Sequence, residues 1–208
     1  MKAVQSFLNY RPSANTIKND LGLSHLRLDL AVPYEQMLAE ANQIKHKFVT
    51  HRGRDKLFAN LTHQGWKSLT LHGASSTTTE ATEDFYSWTE IADLCPVTSN
   101  WIKGNFDVTG RVRFMLLEAG GYILPHVDRE IKYLSEVNIA LNNPDGCIFR
   151  FLDRGNIPFE SGQAYIIDTS NKHMVYNNSS QDRMHVIVHG NVDEDLLRKS
   201  YAKCYYSQ

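Results

Sequence analysis

No stretch of this chain is apolar for anything near the ~18 residues that a membrane-crossing helix needs, so a membrane-spanning role is set aside. The segment from Met1 to Tyr10 lacks the apolar centre of a secretory signal. Cysteine is scarce: Cys95, Cys147 and Cys204 are odd in number and far apart. That spacing excludes both a disulfide framework and a zinc-knuckle pattern. Charge of either sign is not in excess, with 22 Lys+Arg against 23 Asp+Glu and a net charge of -1. A dedicated nucleic-acid binder would carry a basic excess, so nucleic acid is not an expected partner. Internal repeats, low-complexity segments and a Pro/Gly/Ser-rich linker are also missing. A single domain over residues 1–208 in a reducing, cytoplasmic compartment is the expectation.

What the chain does have is enough apolar and aromatic material for a sizeable core, 42% and 11% of 208 residues. Its character changes near residue 110. Before that point the signals are mixed. Leu26–Leu30 alternates as a short strand. Pro33 opens a stretch from Tyr34 to Phe48 with helical apolar spacing at Met37, Leu38, Ala41 and Ile44. Trp66–Leu71 reads as a strand ending at Gly73, and Trp88–Leu94 as a helix ended by Pro96. Beyond residue 110 the pattern predicts strands at Val112–Leu117 (closed by Gly120–Gly121), Val137–Leu141, Cys147–Leu152, Gln163–Ile167, His173–Tyr176 and Met184–Val188. Short strands separated by frequent turn signals indicate a sandwich or barrel rather than a parallel sheet with crossover helices. The expected organisation is a mixed helical and strand layer over 1–109, a β core over 110–190, and a C-terminal tail over 191–208.

Nine histidines make a metal site worth seeking. The sharpest local feature is His126-Val127-Asp128. On extended backbone, residues i and i+2 project to one side about 6.6 Å apart, so both side chains can reach one ion. His173 opens a later strand after the turn Asp168–Asn171, and Arg183 follows ten residues further on. Two imidazoles and a carboxylate on one face of an octahedral ion form the facial triad of non-haem Fe(II) oxygenases. A 2-oxo acid fills two of the remaining positions and O2 the third. The distal carboxylate of 2-oxoglutarate needs a planar, permanent cation, which Arg supplies bidentately. His185 and His189 share a strand face with Arg183 and are alternative ligands to His173 on spacing alone.

The segments Gly121-Tyr-Ile-Leu-Pro-His126-Val-Asp128, Gly146-Cys-Ile-Phe-Arg150 and Gly162-Gln-Ala-Tyr-Ile-Ile-Asp168, with His173 and Arg183, resemble the aspartyl/asparaginyl β-hydroxylase family of Fe(II)/2-oxoglutarate oxygenases. The family includes bacterial proline hydroxylases. The resemblance covers about 80 residues, Arg113 to Gly190, and implies a double-stranded β-helix. It puts the metal histidines on His126 and His173 and the co-substrate arginine on Arg183. Asn138 falls where vertebrate aspartyl hydroxylases have a histidine near the co-substrate. Those enzymes lack a metal carboxylate, whereas Asp128 supplies one here, as in the proline hydroxylases. Their substrate-reading arginine aligns with Glu136, and a co-substrate serine aligns near Met115.

The expected protein is therefore a mainly β, double-stranded β-helix (jelly roll, cupin-like) core with flanking N-terminal helices. Its expected activity is Fe(II)- and 2-oxoglutarate-dependent hydroxylation of an unactivated C–H, with O2 consumed and succinate and CO2 released. Metal ligands and catalytic residues are His126, Asp128 and His173; co-substrate residues are Arg183 and Asn138. Arg150, Arg113 and Glu136 are candidates for holding a small amino acid or a peptidyl amino-acid side chain. The alternative is a non-oxidising cupin-like module that binds a metal or ligand. A zinc or nickel cupin isomerase is a third option, but it has no need of a 2-oxo-acid arginine.

Overall fold

The computed structural model of the chain describes residues 23–51, 62–79, 86–128 and 135–206. The elements in chain order are β1 (His25–Arg27), α1 (Tyr34–Gln43), a 3-10 turn (Lys45–Lys47), β2 (Val49–Thr50), β3 (His63–Gly73), β4 (Ser87–Trp88), α2 (Glu90–Leu94) and α3 (Pro96–Asn105). They continue with β5 (Asp107–His126), β6 (Ser135–Asn142), β7 (Cys147–Phe151), β8 (Gly155–Ile157), β9 (Ala164–Ile167), β10 (His173–Asn177), β11 (Arg183–Asn191) and α4 (Glu194–Tyr206).

The strand order is β1-β9-β6-β11-β5-β10-β7-β8, with β3 also on β5 and flanked by β2 and β4. Every pairing among these strands is antiparallel. The long β5 is the hinge of this order. Its Asp107–Leu117 part pairs with β11, and its Tyr122–His126 part pairs with β10. One strand thus belongs to two facing layers, which is how a double-stranded β-helix closes. The expected strand end at Gly120–Gly121 is corrected here, because β5 runs straight through both glycines. Gly120 takes φ +72°, and a Cβ on Gly121 would lie 2.8 Å from the Glu118 carbonyl and 2.9 Å from that of Gln64. The pair bends the strand from one layer into the other rather than ending it.

Period-two alternation divides the side chains between two cores. On β11, Met184, Val186 and Val188 join Phe114, Leu116, Val137 and Ile139 on the outer face, where Met37, Ala41, Ile91, Ile102 and Leu197 of the helices cover them. The opposite face of the barrel holds Leu117, Ala140, Phe149, Phe151, Phe159, Tyr165 and Val175 from both layers. Arg183, His185 and His189 occur at alternate positions of β11 and are buried on that interior side.

The helices differ from expectation in two places. Pro96 does not simply stop a helix; it is the first residue of α3, where its missing N–H is no loss. The exposed amides of that helix start are met by Glu40 of α1, whose carboxylate accepts from the N–H groups of Val97 and Thr98 at 2.7 and 2.9 Å. The region expected as a C-terminal tail instead carries α4, which buries Leu197 and Tyr201. All three cysteines are unpaired. Among the described residues no helix is long and apolar enough to cross a membrane.

Candidate active site

The register between β5 and β10 sets His126 directly opposite His173. Their rings lie 4.3 Å apart. Asp128 follows β5, and its N–H donates to the Thr169 carbonyl at 3.1 Å, which ties it to the turn that leads into β10. That turn is built by Asp168, whose carboxylate accepts from the Ser170 hydroxyl at 2.6 Å and the Asn171 amide at 2.8 Å. Asp168 therefore shapes the approach to His173.

The ligand atoms of His126, Asp128 and His173 all fall within 4.8 Å of one another. His126 Nε2 is 3.4 Å from one Asp128 oxygen, and His173 Nε2 is 3.7 Å from the other. Each histidine uses Nδ1 elsewhere: His126 with the Leu124 carbonyl at 2.8 Å and His173 with the Asn171 carbonyl at 2.9 Å. A carbonyl can only accept, so Nδ1 carries the proton and Nε2 offers its lone pair to the shared space. Phe149 stacks on His173 at 5.1 Å and 7°, fixing the ring plane. Burial pushes His173 down, against the pull of Asp128. For His126 burial also acts downward, but the Asp128 carboxylate outweighs it and the imidazole is raised. Two neutral-capable imidazoles and a carboxylate, presented together, fit a divalent transition metal.

Deeper in the barrel, Arg183 is buried at 5% exposure. Its Nη2 meets His185 Nδ1 at 2.9 Å, and that nitrogen also lies 2.5 Å from the Asn138 side-chain oxygen. The guanidinium sits 5.7 Å above the Phe159 ring. Among the described residues no carboxylate lies within 4.0 Å of it. Arg183 Nε and His185 Nε2 are both buried without a hydrogen-bond partner. Burial pushes the guanidinium down to about 10 and keeps His185 well below its usual range, with Arg183 adding to the effect on the imidazole. Unmet buried donors beside an unpaired cation fit the carboxylate of a dicarboxylic co-substrate.

A third group lies on the same interior face. Thr169 donates to Glu136 at 2.7 Å; the other Glu136 oxygen is 3.7 Å from His189 Nε2, which is 3.5 Å from Arg113 Nη2. Burial, then Asp128, pushes Glu136 up to about 7, and burial pushes Arg113 down to about 9.

Of the residues singled out in the sequence, His126, Asp128 and His173 converge, and so do Arg183 with Asn138 and Arg113 with Glu136. Arg150 does not. It is exposed on β7 between inward Phe149 and Phe151, so the alternation turns it away from the barrel. A role for Arg150 in holding substrate inside is corrected on that ground. His185 and His189 are interior, but His185 serves Arg183 and His189 serves Arg113 and Glu136. His51 and His63 have no partner spacing in the sequence and read as surface or pocket-edge residues; both are instead buried and flank Trp66 at 4.0 and 5.2 Å. His63 is set opposite Ile123 by the pairing of β3 with β5, and His51 is held by its N–H donating to the Trp66 carbonyl at 2.9 Å; no local motif announces either.

The family model for aspartyl/asparaginyl beta-hydroxylase matches residues 30–191. The chain belongs to that family. It is an oxidoreductase, a hydroxylase. No curated protein matches it in sequence. Solved structures share the fold. A prolyl hydroxylase from Trichoplax adhaerens, in complex with a hypoxia inducible factor oxygen degradation domain peptide fragment, is 13% identical with TM-score 0.58, covering 96% of this chain and 94% of its own. A 2OG-Fe(II) oxygenase family oxidoreductase from Burkholderia pseudomallei is 10% identical with TM-score 0.54, covering 90% of each chain. A Pseudomonas putida prolyl-4-hydroxylase is 13% identical with TM-score 0.51, covering 86% of this chain and 98% of its own. At such identities the likeness concerns architecture, and it agrees with the double-stranded β-helix of this family member.

Proposed function

We propose that this hydroxylase is an Fe(II)- and 2-oxoglutarate-dependent dioxygenase acting on a small amino acid or on an amino-acid side chain of a short peptide. The observation that carries the reading is Arg183, a buried, carboxylate-free guanidinium in the barrel that presents His126, Asp128 and His173. His126, Asp128 and His173 would hold the iron through two Nε2 atoms and the carboxylate. When bound, iron with 2-oxoglutarate and O2 supplies the oxidising chemistry that inserts oxygen into a C–H bond and leaves succinate and CO2.

The chain's own residues bind and orient. Arg183 would grip the distal carboxylate in a fork, and His185 Nε2 is the second unmet polar atom beside it. Asn138, through His185, would hold that imidazole in place. The stack of Phe149 on His173 and the Nδ1 bonds to backbone carbonyls keep the metal-binding nitrogens aimed inward. Phe151, Phe159 and Tyr165 keep water out of the interior. The chemistry would reside in the strands from β5 to β11, with α1, α2 and α3 packing on their outer face.

The test is an anaerobic absorption spectrum of the protein with Fe(II) and 2-oxoglutarate, followed by aerobic succinate measurement. A visible charge-transfer band, absent in Arg183→Met, is the expected result. A protein that binds metal but gives neither band nor succinate would instead be a non-oxidising cupin-like module.

A further inference from the structure

We infer that Arg113 and Arg111 form a second anion subsite on the interior face of β5, and that it takes a free carboxylate of the substrate, making a free α-amino acid the preferred class. The inference rests on the reading above and narrows it.

Arg111 is half-buried and lies two residues before Arg113 on β5, near enough that its charge acts on the Arg113 guanidinium. Arg113 is 6% exposed, and its Nε is buried with no hydrogen-bond partner. Among the described residues its side-chain hydrogen bond is the long 3.5 Å approach to His189. Among the described residues Arg111 donates a 3.4 Å bond to the Thr79 carbonyl. Among the described residues neither guanidinium has a carboxylate within 4.0 Å. Glu136 is the nearby acid, but its oxygens face Thr169 and His189. The two guanidinium groups stand near Glu136 and Asp128, but Asp128 is one of the three candidate metal ligands and Glu136 is engaged by Thr169 and His189. An unpaired buried cation is among the most costly groups a core can hold unless a ligand completes it.

This subsite belongs to the chamber of the candidate metal site. Asp128 bonds the Thr169 backbone, Thr169 bonds Glu136, Glu136 approaches His189, and His189 approaches Arg113. It is also distinct from Arg183. Across the β5–β11 ladder Arg183 opposes Leu117, whereas Ile187 opposes Arg113. Four residues of strand separate the two backbone positions by about 13 Å, and each guanidinium has its own imidazole neighbour, His185 for Arg183 and His189 for Arg113. A five-carbon dicarboxylate spans roughly 5–6 Å, well short of that spacing, so the two cations are assigned to different anions. The second cation is left for the other organic reactant. Glu136 lies beside it and offers a carboxylate to an ammonium group. An α-amino acid carries both charges; a residue inside a polypeptide carries neither.

The experiment measures succinate formation by the Fe(II)-loaded, full-length protein with the twenty free L-amino acids. The most active one is then compared with its methyl ester, its amide, its N-acetyl form and a peptide capped at both ends that holds it internally. The expected result is at least about a 30-fold loss in kcat/KM for the ester and the amide, the scale for removing one partner of a buried charge pair. Arg113→Met and, separately, Arg111→Met should raise KM for the free acid and erase the difference between acid and ester. A merely structural role would lower both substrates alike. Ester or capped peptide turned over as well as the free acid would overturn the inference while leaving the hydroxylase reading intact. Absence of both the Fe(II)–2-oxoglutarate band and any succinate would remove that reading and the inference with it.

Discussion

Replacing Arg183 by Met should make the ligand-free protein more stable and at the same time abolish its response to 2-oxoglutarate. Burial pushes the guanidinium down to about 10, which corresponds to a penalty on the order of 3 kcal/mol for keeping the charge there. The Arg183–His185 bond, at 2.9 Å, offsets about 1 kcal/mol. The contact over Phe159, at 5.7 Å, offsets about 0.5–1 kcal/mol more. Met fills much of the slot and carries no charge, so the net gain is about 1–1.5 kcal/mol, or roughly 2–6 °C in Tm for a domain of this size. Wild-type protein at 100 times the 2-oxoglutarate Kd should gain about 2.7 kcal/mol. The variant should gain nothing. The assay is thermal unfolding of both proteins with Mn(II) in place of the oxidisable iron, with and without 2-oxoglutarate. A variant that melts well below wild type and is still stabilised by 2-oxoglutarate would refute both the cost assigned to the buried charge and its purpose.

Three further outcomes are expected. His173→Ala should abolish metal-dependent stabilisation, whereas His185→Ala should retain metal and weaken co-substrate binding; the reverse pattern in a metal titration would move the ligand to β11. Glu136, facing Arg113, Arg111, His189, Thr169 and Asp128, is held up at about 7 by burial and then by Asp128. A carboxyl raised in the folded state keeps its proton where the unfolded chain has lost it, so stability should fall as pH rises from 4.5 to about 7. The change is on the order of 2–3 kcal/mol, and urea unfolding of Glu136→Gln across that range should lack this component. Gly162 has φ +82°, and a Cβ there would stand 2.6 Å from the Tyr34 ring. Gly162→Ala should therefore cost about 2–3 kcal/mol through strain and overpacking, and a Tm within a degree of wild type would contradict it.

The sequence by itself determined whatever rests on short-range geometry. Alternation marked most of the strands, because side chains on extended backbone repeat every two residues. His126-Val127-Asp128 stood out because its spacing puts two metal-binding groups on one side of a strand. Asp168–Asn171 announced the turn ahead of His173 through its polar, turn-forming side chains. The family resemblance added Arg183. Tertiary structure decided what depends on which strands meet. Spacing could not choose among His173, His185 and His189; the β5–β10 register set His173 against His126 across 47 residues of chain. Arg150 and Arg113 looked alike as charges within strands. Phe149 and Phe151 took the interior of β7 and turned Arg150 out, while Val112 and Phe114 took the outer face of β5 and turned Arg113 in. Gly120–Gly121 has the composition of a turn, yet here it lets one strand serve two layers. His63 carries no local signal, since its placement comes from β3 lying along β5. Local chemistry wrote the ligands into the sequence, and long-range pairing decided which of them share a chamber.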